Sequence, residues 1–305
     1  MNVGGMTVFL LKNEIHETIW GGGKLAPFAG STSSRIGHLY SVNCNAEGSN
    51  TILTGPYRGR TLNAYFDENK ARFGLAGYEY FPVVIALVEA RDHLSIQVHP
   101  DDATAMLLDA TSRGGKNESW FFIDAPESGE IFCGCRAKTM DELKDAILTD
   151  RMESATDRLR VQKGDYVFVK AGTLHAMSRG SLVYEIEENA GCTYRFYDFD
   201  RTDSDGKKRP LQIPEAFFSI RLGNKSVAKQ YGDAPIEERR YFTQHYARLE
   251  DYRNESQTLQ VLTILSGEAE IEGHRAVRGT SVVLEPGDEL HITPVEAMVA
   301  EMKGM

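Results

Sequence analysis

What is scarce in this chain narrows it first. No apolar run approaches the ~18 residues that span a bilayer, so a membrane partner is not expected. The opening stretch, MNVGGMTVFLLKNEIHETIW, lacks a basic start followed by a sustained apolar run, and no signal peptide is expected from it. Basic residues are outnumbered, 34 Lys and Arg against 44 Asp and Glu, for a net charge of -10 over 305 residues. That balance argues against nucleic-acid partners, which need a basic surface. It leaves room for an anionic small molecule gripped by a local Arg or Lys cluster. Cysteine is sparse too: Cys44, Cys133, Cys135 and Cys192. They suit reduced thiols in the cytoplasm. Cys133 and Cys135 flank Gly134, and two free thiols beside a turn glycine are preferred there to a metal pair. Low-complexity tracts and short repeats are missing.

What is present is mostly short, strand-like runs bounded by Gly, Asp, Asn and Pro. They are TVFLL (7–11), HLYSVN (38–43), FPVVIALVEA (81–90), LSIQVH (94–99), SWFFID (119–124), DYVFVK (165–170), SLVYEIEE (181–188) and TYRFYDF (193–199). Regular spacing of such runs favours a β-sandwich or barrel. Helices are expected at 61–73, at 100–109 with Asp101 and Asp102 in the first turn, at 139–151, and at 213–220. The third starts with Thr139 and Glu142 at capping-box spacing. The stretch RTDSDGKKRPLQ (201–212) is charged and turn-rich and marks a domain boundary. Beyond about residue 240 only strand patterns remain, separated by S-G-E, G-H and P-G-D turns. They predict a second, smaller jelly-roll barrel.

Three metal-binding side chains stand on these strands. SIQVHPDD carries His99, GKNESWFF carries Glu118 and AGTLHAM carries His175. Residues two apart on a strand share a face. Gln97, with a carbonyl oxygen to offer, therefore lies beside His99, and Lys116 beside Glu118, with Trp120 next on that face. Leu94, Ile96 and Val98 turn the other way. Taken singly, each residue has an ordinary alternative: His99 capping the helix at Pro100, Glu118 solvated at an edge, His175 in a turn. Their joint occurrence favours a metal. Two His and a Glu suit Zn²⁺ or a similar borderline cation and leave a coordination position open. His93 reads as structural, and His274 and His291 as surface residues. Arg195 is placed either to stabilise an oxyanion or grip phosphate, or to pair with Asp198, Asp200 or a nearby Glu. Glu185 and Glu187 share a face with Val183, opposite Leu182, Tyr184 and Ile186. If that second face is core, Glu185 points into the barrel.

The segment from Gly164 to His175 is similar to the second motif of cupin barrels, with Lys170 where proline is usual. Together with IWGGGKL (19–25), TGPYRGRTL (54–62), the 81–103 stretch ending in QVHPDDA, GKNESWFFIDA (115–125) and the run 170–201, it resembles the type I phosphomannose isomerases. The resemblance covers most of the chain in order. It implies a mainly β fold: double cupin (jelly-roll) barrels with a few helices inserted or packed outside. Residues 1–212 would form a catalytic metal-binding cupin domain with helical insertions, and 213–305 a smaller degenerate cupin domain. Gln97, His99, Glu118 and His175 would hold one Zn²⁺ per chain. Lys116 and Arg195 would line the catalytic pocket, and Glu185 stands at the family's pocket glutamate, an acid–base candidate. The implied activity is a metal-dependent aldose–ketose isomerisation between mannose 6-phosphate and fructose 6-phosphate, by an enediol-type proton transfer. A cytoplasmic monomer or homodimer is expected. The chain departs from the pattern in having Gly37-His38-Leu39-Tyr40 for Gly-Glu-x-Trp, Ala86 for a frequent Lys, and Ile186-Glu187-Glu188-Asn189 where glutamines are common. Those departures keep two alternatives open: a related cupin isomerase for another or unphosphorylated sugar, and a noncatalytic sugar-binding cupin.

Overall fold

The computed structural model describes residues 7–45, 48–230 and 237–304, with backbone only at 237–238. Among the described residues the first barrel is a sandwich of two antiparallel sheets. The larger has the strand order Ala228–Gln230, Asp165–Val169, Glu118–Asp124, Leu182–Glu188, Val83–Glu89, Ile36–Val42 and Glu14–Gly22. The sheet facing it runs Tyr194–Tyr197, Ile96–Val98, His175–Ala176, Glu130–Cys135 and Thr156–Arg160. A second, smaller barrel follows, its main sheet ordered Phe9–Leu10, Ser281–Leu284, Gln260–Ser266, Glu289–Met302, Phe242–Arg253 and Glu237–Glu238. The hairpin Ala269–Ile271 and His274–Ala276 closes one side. The double jelly roll expected from the sequence is the fold observed.

Burial explains the composition of the central strands. Every residue of Val83–Glu89 is buried. Val83, Ile85 and Leu87 join Leu182, Tyr184 and Ile186 in a core that continues into the second barrel through Val261, Met298 and Ala300. Ala86, Val88 and Val183 face the other way, into a core shared with Ile96, Val98, Phe132 and Phe196. A sheet covered on both faces selects continuous apolar runs. The odd positions of Leu182–Glu188 therefore face the interior of the first barrel, as its alternation predicts.

Two pairings cross the boundary expected near 212. Phe9 and Leu10 pair with Val283 and Val282 of the second barrel, while Ala228–Gln230 pairs with Asp165–Val167 of the first. Helices appear where caps announce them. Asp101 accepts from the Thr104 amide at 2.9 Å and starts Asp102–Leu108. Thr139 caps Met140–Leu148, but the Glu142 carboxylate accepts from the Lys138 amide at 2.6 Å, one residue before the capping-box partner. The 61–73 helix is α only over Leu62–Asn69 and continues as a 3-10 turn to Phe73. Several strands lack an expected counterpart, among them Glu14–Gly22, Glu130–Cys135 and Thr156–Arg160. In the first, register shifts after His16 and Glu17 interrupt the period of two.

Candidate metal centre

Two rows of side chains face each other across the first barrel. In the smaller sheet, Gln97 is the Cα partner of His175 on one side and of Arg195 on the other. In the larger sheet, Glu118 is the partner of Glu187. His99 follows the short strand Ile96–Val98 on the face of Gln97. The local folding is tight. Gly21 and Gly22 let the strand Glu14–Gly22 press against its neighbours, since a Cβ on Gly22 would fall 1.8 Å from the Glu89 carboxylate.

Each imidazole is fixed by its outer nitrogen. His99 Nδ1–H donates to the Cys192 carbonyl at 2.7 Å, and His175 Nδ1–H donates to the Thr173 carbonyl at 2.8 Å. Both Nε2 atoms then carry lone pairs aimed inward, the tautomer a metal requires. His99 Nε2 lies 2.8 Å from Glu118 Oε1, and His175 Nε2 lies 3.6 Å from Glu118 Oε2. The Gln97 amide borders the same space, 3.4 Å from His175 Nε2. His99 Nε2 and Glu118 Oε2 are buried with no hydrogen-bond partner. A ring lone pair facing a carboxylate inside a protein is stabilised by a shared cation. The ligand atoms of His99, Glu118 and His175 all lie within 4.8 Å of one another, so the donor set fits a divalent metal. Zinc and other borderline ions fit that set alike.

Lys116 is buried, with Nζ 2.9 Å from Glu118 Oε1 and 2.5 Å from Glu187 Oε2. Burial opposes its charge, but Glu118, Glu187 and Glu185 outweigh this and hold its pKa well above the lysine range. Glu118 shows the converse: against burial, Lys116 and His99 keep it well below the carboxylate range. Glu185 accepts from Trp120 Nε1 at 2.8 Å. Burial, followed by the charges of Glu118 and Glu187, drives its pKa well above the usual carboxylate range. Burial lowers His175 to about 4.

These groups surround a cavity of about 210 Å³ lined by Gln97, Lys116, Glu118, His175, Glu185 and Arg195, among others. Arg195 makes no ion pair among the described residues. Asp198 is taken by Arg201 at 2.6 Å and by Arg209, and Asp200 by Lys208. Arg195 Nε is buried without a partner, and its guanidinium, with that of Arg209, borders both this cavity and a wider one of about 520 Å³ at the mouth. All seven site residues picked from the sequence thus meet in one place. His93 lies apart, stacked on Phe199 and edge-on to Phe132. His291 is exposed beside Asp251, and the cysteines are free thiols.

Several cavity-lining residues were not foreseen, among them His16, His38, Tyr40 and Arg209. A signal existed for two. GHLY puts His38 and Tyr40 on one strand face, either side of the buried Leu39. Arg209 comes from the charged 201–212 stretch, where no periodicity marks direction.

Known proteins match this geometry. Residues 8–119 fit the family model for the type I phosphomannose isomerase catalytic domain. The Bacillus subtilis protein named "Probable mannose-6-phosphate isomerase GmuF" is 37% identical over 227 residues, 72% of each chain. The mannose-6-phosphate isomerase of Streptococcus mutans is 33% identical over 220 residues, 72% of this chain and 69% of that one. The crystal structure of the mannose 6-phosphate isomerase from Bacillus subtilis superposes with a TM-score of 0.83 at 26% identity, covering 97% of this chain and 99% of the other. With relatives this similar over this much of their length, the chain belongs to the type I phosphomannose isomerases.

Proposed function

We propose that this chain interconverts mannose 6-phosphate and fructose 6-phosphate, with Zn²⁺ held by Gln97, His99, Glu118 and His175. The observation that carries this reading is the pair of imidazoles whose Nδ1–H groups are committed to carbonyls while both Nε2 atoms face the Glu118 carboxylate. When bound, the ion polarises sugar oxygens as a Lewis acid. The residues supply the remainder. Lys116, charged and fixed between two carboxylates, donates hydrogen bonds to oxygen as negative charge builds on it in the enediol-like transition state. Glu185 is the group assigned to move the proton between C1 and C2; its neighbours can tune it across neutrality. Buried walls exclude water, and the fixed side chains orient the opened sugar.

Arg195, unpaired at the mouth beside Arg209, supports a phosphorylated substrate over a free sugar. We assign catalysis to residues 1–212 and a supporting role to the degenerate barrel 213–305, with the two exchanged strands noted above. Among the described residues no helix is long and apolar enough to cross a membrane. The free thiols support a cytoplasmic setting, as monomer or homodimer acting on a small molecule. The test is a coupled assay on mannose 6-phosphate, with elemental analysis of the same preparation. Activity should vanish with a chelator and return with Zn²⁺. Full turnover by verified metal-free protein, or a preference for unphosphorylated mannose, overturns the reading. Absence of deuterium exchange at C2 in labelled water would make the chain a binding protein instead.

A further inference from the structure

The wall beside Glu185 carries a polar group with no task in the reaction as described. One row of the larger sheet runs Trp120, Glu185, Ala86, Tyr40, each the Cα partner of the next. Ala86, buried and outside the cavity lining, separates Glu185 from Tyr40 in this row. Tyr40 lines the same cavity as Gln97, Glu118 and His175, and its hydroxyl has no hydrogen-bond partner among the described residues. The ring cannot swing freely. It lies flat against His38, with centroids 5.1 Å apart and 5° between planes. Trp20 meets His38 edge-on at 5.1 Å, and His16 flanks it at 5.8 Å. His38 Nδ1 is also buried without a partner.

The surroundings define the ligand. Burial and the nearby Glu187 and Glu185 carboxylates raise the phenol's pKa, so the O–H keeps its proton. A carboxylate-lined wall repels an anion. It suits a neutral hydroxyl, which accepts from a phenol and donates to an acid. We propose that Tyr40 is a substrate-binding residue whose hydroxyl donates to a hydroxyl of the sugar chain beyond the reacting carbons, in the cavity it lines with Glu185 and Glu187. This rests on the isomerase reading above. The fixed ring makes the contact preorganised, so little ordering is needed on binding.

The experiment compares Tyr40→Phe with the parent protein, on mannose 6-phosphate and on its 3-deoxy and 4-deoxy derivatives. Thermal unfolding checks the fold of the variant. Tyr40→Phe should lower kcat/KM on mannose 6-phosphate roughly tenfold, as for one neutral hydrogen bond, and leave it unchanged on the deoxy sugar that lacks the partner. A change below twofold for Tyr40→Phe, or equal losses on all three sugars, overturns the inference and leaves the isomerase reading standing. A parent protein inactive on mannose 6-phosphate overturns both.

Discussion

Glu118→Gln is the most informative single change, because it keeps the shape of the side chain and removes its charge. The carboxylate faces His99 Nε2 at 2.8 Å, Lys116 Nζ at 2.9 Å and His175 Nε2 at 3.6 Å. Breaking a buried ion pair by removing one partner costs about 3–5 kcal/mol when the other charge is stranded. Lys116 is not stranded, since Glu187 remains 2.5 Å away. A glutamine amide N–H also satisfies the His99 lone pair that otherwise faces the carboxylate. The fold should therefore lose only about 1.5–3 kcal/mol, the range for hydrogen bonds to charged groups. Metal binding has no such compensation. Loss of a charged ligand worth about 3–5 kcal/mol weakens Kd by roughly two to nearly four decades. Parent and variant are equilibrated in a chelator-buffered Zn²⁺ series, bound metal is measured directly, and turnover and thermal unfolding follow on the same samples. The expected variant is folded, metal-poor and inactive. Metal affinity within tenfold of the parent, together with turnover, would refute the assignment of Glu118 as a ligand.

Two further expectations follow. Arg195→Met should reduce kcat/KM on mannose 6-phosphate by about ten- to a hundredfold, the loss of one charge-assisted hydrogen bond, and leave the rate on unphosphorylated mannose unchanged; equal losses on both sugars would remove phosphate from its role. His38 is pushed down to about 3 by burial and by His16, so the unfolded chain takes up its proton first as pH falls below 6.5, and the histidine's contribution to stability declines from there toward pH 3. Between pH 7 and pH 5 the parent should lose about 2 kcal/mol more than His38→Phe in urea unfolding, and parallel pH profiles would contradict this.

Half of the site was legible because strands advertise direction. Gln97 with His99, and Lys116 with Glu118, are two apart, so each pair shares a face, and apolar Ile96 and Val98 fix which way the first pair points. Glu185 was readable for the same reason once Leu182, Tyr184 and Ile186 were recognised as core. Convergence was not readable: nothing in spacing alone brings His175 alongside Gln97, because that contact is a sheet register between segments far apart in sequence. The aromatic wall was missed for a different cause. Glu14–Gly22 is an edge strand whose register shifts break the alternation just where His16 and Trp20 need it. Arg209 had no local signal. Its direction is set by Asp198, which accepts from its Nε at 2.8 Å.

The strand Leu182–Glu188 also explains why a barrel without site residues is retained. Its odd positions serve the cavity, so its even positions must be buried elsewhere. Leu182, Tyr184 and Ile186, with Val83, Ile85 and Leu87 of the neighbouring strand, pack in one core with Phe9, Val261, Met298 and Ala300. A two-faced apolar sheet needs a layer on each side, and the second barrel is that layer. Its attachment is polar as well: the buried Glu285 carboxylate accepts from the Tyr65 hydroxyl at 2.9 Å and from Arg72 at 2.8 Å. The cavity wall holds its side chains still because the back of the same strands is locked in a solid core. Among the described residues the second barrel lines none of this cavity, and it supports the wall through that shared core.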